Sequence, residues 1–319
     1  MKFLLTAINA KFIHSNPAIY SLRAGVGEKL QPYVELAEFT INESLESILE
    51  GIWKRQPKVI GFSCYIWNWK LIREILTELP KILPDTEIWL GGPEVTYDGP
   101  GLLREFPQVT GIMVGEGEVT FREVLEQYLR EAETAGQSEQ QPESDSTEHQ
   151  VADRRGTVLG KSMVERFGQI PGLCLASGYT APRDLTDLTT LPFLYENMEP
   201  FTNRIIYYET SRGCPYRCSY CLSSIDKKVR LRDISVVKRE LQFFLDQNVK
   251  QVKFIDRTFN CDHKHAMEIW RYIYEHDNGV TNFHFEISAD ILREEEIALL
   301  NRFRPGLAQL EIGVQSTNP

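Results

Sequence analysis

The sequence predicts an α/β protein. A flavodoxin-like, doubly wound parallel sheet is expected over residues 1–130, and a second series of βα units over 204–319. Three observations lead there. Short apolar runs alternate with amphipathic helical segments in both parts, the pattern of a parallel sheet covered on both faces. The apolar runs end in glycine or small polar residues, where such sheets turn into helices and hold ligands. Between the parts, residues 131–156 are rich in Glu, Gln, Ser, Thr and Asp and almost lack large apolar side chains. Such a stretch buries too little surface to offset its ordering entropy, so a disordered acidic and polar insertion is expected there.

In the first part Lys2–Ile8, Val34–Thr40, Val59–Ser63, Glu87–Leu90 and Gly111–Val114 read as strands. Ala18–Leu30, Leu45–Trp53 and Leu71–Leu83 have helical spacing; Leu45, Ile48, Leu49 and Ile52 share one face of the second. Thr120, with Glu123 three residues on, reads as a capping box opening the last helix. Residues 157–203 read as an interdomain connector. It holds a small hairpin marked by Ile170-Pro171-Gly172-Leu173 and Ser177-Gly178, with Cys174 as a buried thiol, and an extended Leu191-Pro192-Phe193. In the last part Arg204–Thr210, Gln251–Ile255, Asn282–Ile287 and Leu307–Val314 read as strands, and Ile234–Asn248, His265–Glu275 and Arg293–Phe303 as helices. Four parallel strands leave an open edge. The second part therefore reads as incomplete at its C-terminus, a piece of a longer protein.

A length of 319 residues fits two domains, and 42% hydrophobic with 25% charged residues is globular composition. The formal net charge of −10 argues against nucleic acid as the main partner. No apolar run is long enough to span a bilayer. Met1 to Ile8 is too short for a secretion signal and reads as a buried strand. The expected location is the cytoplasm, where thiols stay reduced and metal ligation is favoured over disulfides.

Half of the six cysteines lie in Thr210-Ser211-Arg212-Gly213-Cys214-Pro215-Tyr216-Arg217-Cys218-Ser219-Tyr220-Cys221, spaced Cys-x3-Cys-x2-Cys. Three thiolates on one loop suit a single inorganic centre. A closed zinc site needs four ligands, so Cys261, His263 or His265 would have to supply the fourth. Iron–sulfur clusters are usually held by four cysteines, so three would leave one iron open. Arg212, Arg217, Lys227, Lys228, Arg230 and Arg232 surround the loop. Cations favour the thiolate, although taken singly most read as a solvated basic face. The strand ends of the first part carry Asn9-Ala10, Ser63-Cys64-Tyr65-Ile66-Trp67-Asn68, Gly91-Gly92-Pro93-Glu94 and Gly115-Glu116-Gly117-Glu118. Glycines there let backbone approach a ligand and aromatics can cover a flat ring; the same residues also suit tight βα turns.

The three-cysteine loop, with Tyr220 just before its last cysteine, resembles the cluster loop of the radical S-adenosylmethionine (SAM) family. Together with the Gly91–Glu94 and Gly115–Glu118 pair upstream, the chain resembles the B12-binding (cobalamin-dependent) radical SAM proteins. The resemblance implies that residues 204–319 are a partial βα barrel of radical SAM type, incomplete at its C-terminus, and that Cys214, Cys218 and Cys221 hold a [4Fe–4S] cluster whose open iron binds SAM. It implies a corrinoid across the first sheet, near Asn9, Ser63, Tyr65, Trp67, Gly91, Gly92, Pro93, Glu94, Gly115, Glu116 and Gly117. Many cobalamin domains carry an Asp-x-His-x-x-Gly motif; here His14 lies in Lys11-Phe12-Ile13-His14-Ser15-Asn16, without the Asp. No histidine ligand to cobalt is therefore expected, and Tyr65, Trp67 or a water would face the metal. Tyr220, Asp256, Glu286 and Gln315 are the implied SAM-side contacts, with Asp256 standing where relatives carry a Gly-Gly-Glu-like motif. The implied activity is radical chemistry such as methylation of an unactivated carbon, on an unidentified substrate, with an electron donor such as flavodoxin or ferredoxin. One alternative is a radical SAM methylthiotransferase, which would carry three more clustered cysteines upstream where residues 1–130 hold only Cys64. The other is a non-catalytic corrinoid- or cluster-binding protein.

Overall fold

The first apolar run, Phe3–Asn9, is buried along its whole length and sits at the centre of a sheet covered on both faces. The computed structural model describes residues 2–138, 162–226, 228–314 and 316. Its contacts divide the chain into two units, Met1–Thr186 and Asp187–Pro319.

The first unit contains β1 (Phe3–Asn9), α1 (Pro17–Gly25), β2 (Val34–Thr40), α2 (Leu45–Trp53), β3 (Val59–Ser63), α3 (Trp69–Ile82), β4 (Glu87–Gly91), α4 (Gly99–Glu105), β5 (Val109–Met113), α5 (Gly117–Ser138), α6 (Met163–Phe167), β6 (Leu173–Leu175) and β7 (Gly178–Tyr179). The sheet order is β2-β1-β3-β4-β5-β6-β7. The first five strands are parallel, while β6 and β7 add on antiparallel. This 2-1-3-4-5 order is that of flavodoxin-like folds, with its switch point between β1 and β3. Leu4 and Ile8 of β1 pack with Ile48, Ile52, Ile72 and Leu76 of α2 and α3. Phe3, Leu5 and Ala7 face the other way, onto Ile19, Phe121, Val124 and Phe167 of α1, α5 and α6. One strand thus feeds two cores, as its unbroken apolar run requires.

Four features differ from expectation. Helix α4 was hidden by its glycines and proline; Asp98 caps it, accepting from Gly101 N at 3.2 Å, and Pro100 sits in the first turn. Thr120 does not cap the last helix, because α5 already begins at Gly117. Its hydroxyl instead bonds Pro171 O at 3.3 Å and accepts from Arg183 Nε at 2.7 Å, tying α5 to the hairpin segment. Residues 131–138 of the expected insertion belong to α5; residues 139–156 lie outside the described residues. Of the expected connector 157–203, residues 157–161 lie outside the described residues; the hairpin in the rest extends the first sheet, and the division between units falls inside it.

What holds the hairpin side in place is a largely buried ion cluster. Arg166 on α6 meets Glu87 at 3.0 Å and Glu131 at 2.9 Å. Its guanidinium also lies over the rings of Tyr128 and Phe167. Removing one partner of a buried ion set strands the others. Arg166→Ala is therefore expected to lower unfolding stability by about 3 kcal/mol, measured by urea denaturation, with Arg166→Lys losing less because one carboxylate keeps a cation.

The second unit contains β8 (Ile206–Tyr208), β9 (Ser211–Arg212), β10 (Arg230–Leu231), α7 (Ile234–Asp246), β11 (Gln251–Phe254), α8 (His263–Glu275), β12 (Asn282–Ile287), α9 (Glu294–Leu300) and β13 (Ala308–Ile312). Four of the strands form a parallel sheet in the order β8-β11-β12-β13. On one face Tyr208, Phe254 and Phe285 meet ring to ring and contact Phe244 of α7 and Trp270 of α8. The alternating residues Tyr207, Lys253, His284, Glu286 and Glu311 make the opposite face polar, as the inner wall of a partial βα barrel would be. The first of these strands is shorter than expected, since Thr210 leaves the sheet to bond elsewhere. Among the described residues, no helix is long and apolar enough to cross a membrane.

Candidate cofactor sites

The cysteine loop is closed at its base by sequence-local pairing. β9 and β10 run antiparallel, Ser211 opposite Leu231 and Arg212 opposite Arg230. Gly213, at φ +97°, allows the two ends to meet, for a Cβ there would lie 2.4 Å from Lys228 O. Cys214 N donates to Asp226 O at 2.9 Å, and Arg230 holds Asp226 at 3.0 Å. Cys214 is buried while Cys218 and Cys221 are exposed, and none of the three forms a disulfide.

The loop continues from β8, and two further strand ends reach it. From β11 comes Asp256, fully buried, which accepts from Thr210 N (3.1 Å), Thr210 Oγ1 (2.6 Å) and Ser211 Oγ (2.6 Å). Burial pushes its carboxyl pKa up, and the Ser211 and Thr210 hydrogen bonds pull part of that back. Two residues on, Thr258 Oγ1 lies 3.5 Å from Cys214 Sγ. From the end of β12, Ser288 Oγ accepts from Tyr216 OH at 3.3 Å. Asn260 bridges the same two strand ends, donating to Ser288 O at 2.8 Å and accepting from Ser288 N at 2.9 Å. At the outgoing stem Arg232 pairs with Glu240 at 3.0 Å and donates to Leu191 O at 2.6 Å. Burial raises the Glu240 pKa, and Tyr208, which donates to it at 2.6 Å, and Arg232 offset part of the rise.

The expected SAM-side residues are placed unevenly. Asp256 is at its strand end, but its oxygens are taken by the loop stem, so it acts there as a strut. Glu286 pairs with Lys253 at 3.4 Å, and Lys253 also meets Glu311 at 3.0 Å. Burial lowers the Lys253 pKa, yet the two carboxylates outweigh it and the net shift is upward. Tyr220 is exposed on the loop. Gln315 and Lys227 lie outside the described residues. Of the surrounding cations, Arg212, Arg230 and Arg232 are committed to Glu209, Asp226 and Glu240.

Among the described residues no group of three or more His, Cys, Asp or Glu side chains is already arranged to hold a metal ion. The loop brings the three thiols together in chain without converging them on one point. The donor set nevertheless fits a three-thiolate centre better than zinc. His263 Nδ1 sits 2.8 Å from Glu296 Oε1, and the Cys261 thiol is pushed up to about 11, chiefly by burial and then by Asp256. A burial contrast also sets thiol reactivity. In cluster-free native protein Cys218 and Cys221 are expected to react quickly with a thiol reagent. Cys64 and Cys174, fully buried with their pKa values raised by that burial, should react only on unfolding; peptide mapping of the labelled sites checks this.

On the first unit the C-terminal strand ends form one rim. Asn9 and Ser63 are buried in it and hold loops. Asn9 Nδ2 donates to His14 O (3.1 Å) and Glu38 Oε1 (2.8 Å), and Ser63 Oγ accepts from Asn16 Nδ2 at 3.1 Å. Asn68 fixes the loop after β3, donating to Ile8 O and Ser63 O, both at 3.0 Å, and accepting from Tyr65 N at 2.8 Å. On this base Tyr65 and Trp67 stack, 4.4 Å between centroids and 9° from parallel. Gly92, at φ +109°, lets its turn press against the Cys64 backbone, where a Cβ would come within 2.5 Å of Cys64 O. Gly91 is half-buried, and Pro93 and Glu94 are exposed beside it. Gly115, exposed at φ +81°, precedes Glu116, whose Oε2 accepts from Thr186 N at 2.7 Å; Gly117 opens α5. Phe12, Ile13, Ile66 and Trp67 are exposed on the same rim. An apolar, glycine-turned rim with a stacked aromatic pair fits a flat macrocycle, and Asn9, Ser63 and Glu116 support it from beneath.

A flavodoxin-like sheet with such a rim, and a parallel βα sheet whose strand ends carry a three-thiol loop, define a two-unit α/β cofactor protein. Residues 4–125 match the B12 binding domain and residues 208–319 the radical SAM superfamily; the chain is a B12-binding radical SAM protein. It is 27% identical over 228 residues to 2-(S-pantetheinyl)-carbapenam-3-carboxylate methyltransferase of Streptantibioticus cattleyicolor, covering 68% of this chain and 29% of that protein. It is 29% identical over 217 residues to the cobalamin-dependent radical SAM methyltransferase TokK of Streptomyces tokunonensis, covering 64% of this chain and 28% of that one. The chain thus spans less than a third of these two relatives. Among solved structures, the radical SAM methyltransferase TsrM of Kitasatospora setae, with cobalamin and a [4Fe-4S] cluster bound, superimposes with a TM-score of 0.66 at 17% identity, over 98% of this chain and 59% of that one. The shared fold runs through both units.

Proposed function

We propose that this chain forms the cofactor-binding part of a cobalamin-dependent radical SAM enzyme that methylates an unactivated carbon. The observation that carries the reading is the cysteine loop held across three parallel strand ends, in one chain with a flavodoxin-like sheet of apolar C-terminal rim. Cys214, Cys218 and Cys221 would hold the [4Fe–4S] cluster, and the rim residues Tyr65, Trp67, Gly91–Glu94 and Gly115 would hold cobalamin. Bound there, the cluster supplies the electron that cleaves SAM and cobalamin supplies a methyl carrier. The protein's own residues position and shield. Asp256, Asn260 and Tyr216 fix the loop over the sheet, and the Tyr65–Trp67 stack offers an apolar wall. Glu286, with Lys253, lines the polar face open to SAM or substrate. An external one-electron donor such as flavodoxin or ferredoxin would reduce the cluster. A methylthiotransferase with a second cluster in the first unit fits poorly, since the cysteines there are Cys64 and Cys174, both buried.

The test is anaerobic reconstitution with iron, sulfide and hydroxocobalamin, followed by reduction and addition of SAM. Cobalamin should be retained through gel filtration with a spectrum lacking a nitrogen lower ligand, and 5′-deoxyadenosine should form. A yield no higher than that of Cys218→Ala would refute turnover, and loss of cobalamin from folded protein would refute the corrinoid assignment.

A further inference from the structure

We propose that Thr258 donates a hydrogen bond to the sulfur of Cys214 and so sets the reduction potential of the cluster this loop holds. The inference rests on reading Cys214, Cys218 and Cys221 as cluster ligands. The two side-chain atoms lie 3.5 Å apart, and both residues are buried. Between a thiol and a hydroxyl either atom can donate. A ligating cysteine is a thiolate, which only accepts, so the proton must come from Thr258.

A second observation shows that this hydroxyl is not needed locally. Thr258 stands at the N-cap of the short 3-10 turn Phe259–Cys261, where a threonine oxygen ordinarily accepts from a backbone N–H. Here its side chain makes no capping bond, and only its carbonyl serves the turn, accepting from Cys261 N at 3.0 Å. The backbone on both sides of the contact is fixed by one group. Asp256, two residues before Thr258, holds Thr210 and Ser211, which lead into Gly213 and Cys214. The donor and acceptor are therefore preorganised, and the contact does not depend on a flexible side chain.

Hydrogen bonds to ligand sulfurs favour the more negative, reduced cluster and raise its potential. The effect is strongest where water does not compete. Cys218 and Cys221 are exposed and Cys214 is buried, so a single donor at Cys214 acts in the least screened of the three surroundings.

The experiment compares the reconstituted wild-type chain with Thr258→Val, which keeps the shape, and Thr258→Ser, which keeps the hydroxyl. Iron per chain is measured first, then the cluster midpoint potential by redox titration followed by electron paramagnetic resonance. The expected result is equal iron in all three, a more negative midpoint in Thr258→Val, and a wild-type midpoint in Thr258→Ser. An unchanged midpoint in Thr258→Val at equal iron overturns the proposal. Iron lost from Thr258→Val and kept in Thr258→Ser also overturns it, making the hydroxyl a structural tie. Wild-type protein that takes up no iron refutes the cluster assignment itself, and the iron measurement alone reveals that case.

Discussion

Replacing Cys214, Cys218 or Cys221 with alanine is expected to cut iron from about four per chain to well below one after anaerobic reconstitution. Formation of 5′-deoxyadenosine should fall with it to the uncatalysed background. A cluster held by three cysteines has no spare protein ligand, so each loss should be nearly complete. The three variants should differ in folding. Cys218 and Cys221 are exposed, so their truncation leaves no cavity and the unfolding midpoint should stay at the wild-type value. Cys214 is packed beside Thr258 and beneath the loop, so Cys214→Ala should also cost roughly 1 kcal/mol of stability. Cys261→Ala is the control. It sits near the loop, but its thiol is held protonated by burial and by Asp256, so iron should be retained. One tightly bound zinc per chain, released by Cys261→Ala, would overturn the assignment.

The parts of this molecule that could be read from the sequence are those set by local pattern. The apolar run at Phe3 has to be buried on both sides, and it is. The Cys-x3-Cys-x2-Cys spacing places three thiols on one loop whatever surrounds it. Hidden features depend on partners far along the chain. Asp256 looks like a strand-end carboxylate awaiting a ligand until Thr210 and Ser211, some 45 residues earlier, are seen to occupy it. Glu286, between Phe285 and Ile287 on the strand, needs a partner, but the choice of Lys253 follows from strand register, which no local window contains. Asn9 and Ser63 likewise sit at the right strand ends, and only the path of the Asn16 loop shows that they serve as its supports. Thr258 carried a faint signal, a hydroxyl two residues beyond Asp256. Its meaning comes from the approach of Cys214, which the fold alone supplies.

Asp256 yields the second large effect. Its carboxylate accepts three hydrogen bonds in a fully buried setting. Asp256→Ala leaves the Thr210 N–H and two hydroxyls without their acceptor, at about 1–3 kcal/mol for a buried group left unsatisfied. Since the hydroxyls can turn to other acceptors, a total near 4 kcal/mol is expected, seen as a lower urea midpoint. Asp256→Asn should lose only about 2 kcal/mol. Its amide oxygen can face the Thr210 N–H while its NH2 donates to hydroxyls that rotate to accept. The decisive measurement is what falls along with stability. A strut predicts that iron retention declines in the order wild type, Asn, Ala, because Thr210 and Ser211 anchor the stem from which Cys214 hangs. SAM affinity per intact cluster should then be unchanged. A carboxylate that binds the SAM ammonium predicts the reverse: Asp256→Asn would keep iron and stability and bind SAM at least tenfold more weakly. With both oxygens committed to the loop stem, the first outcome is expected.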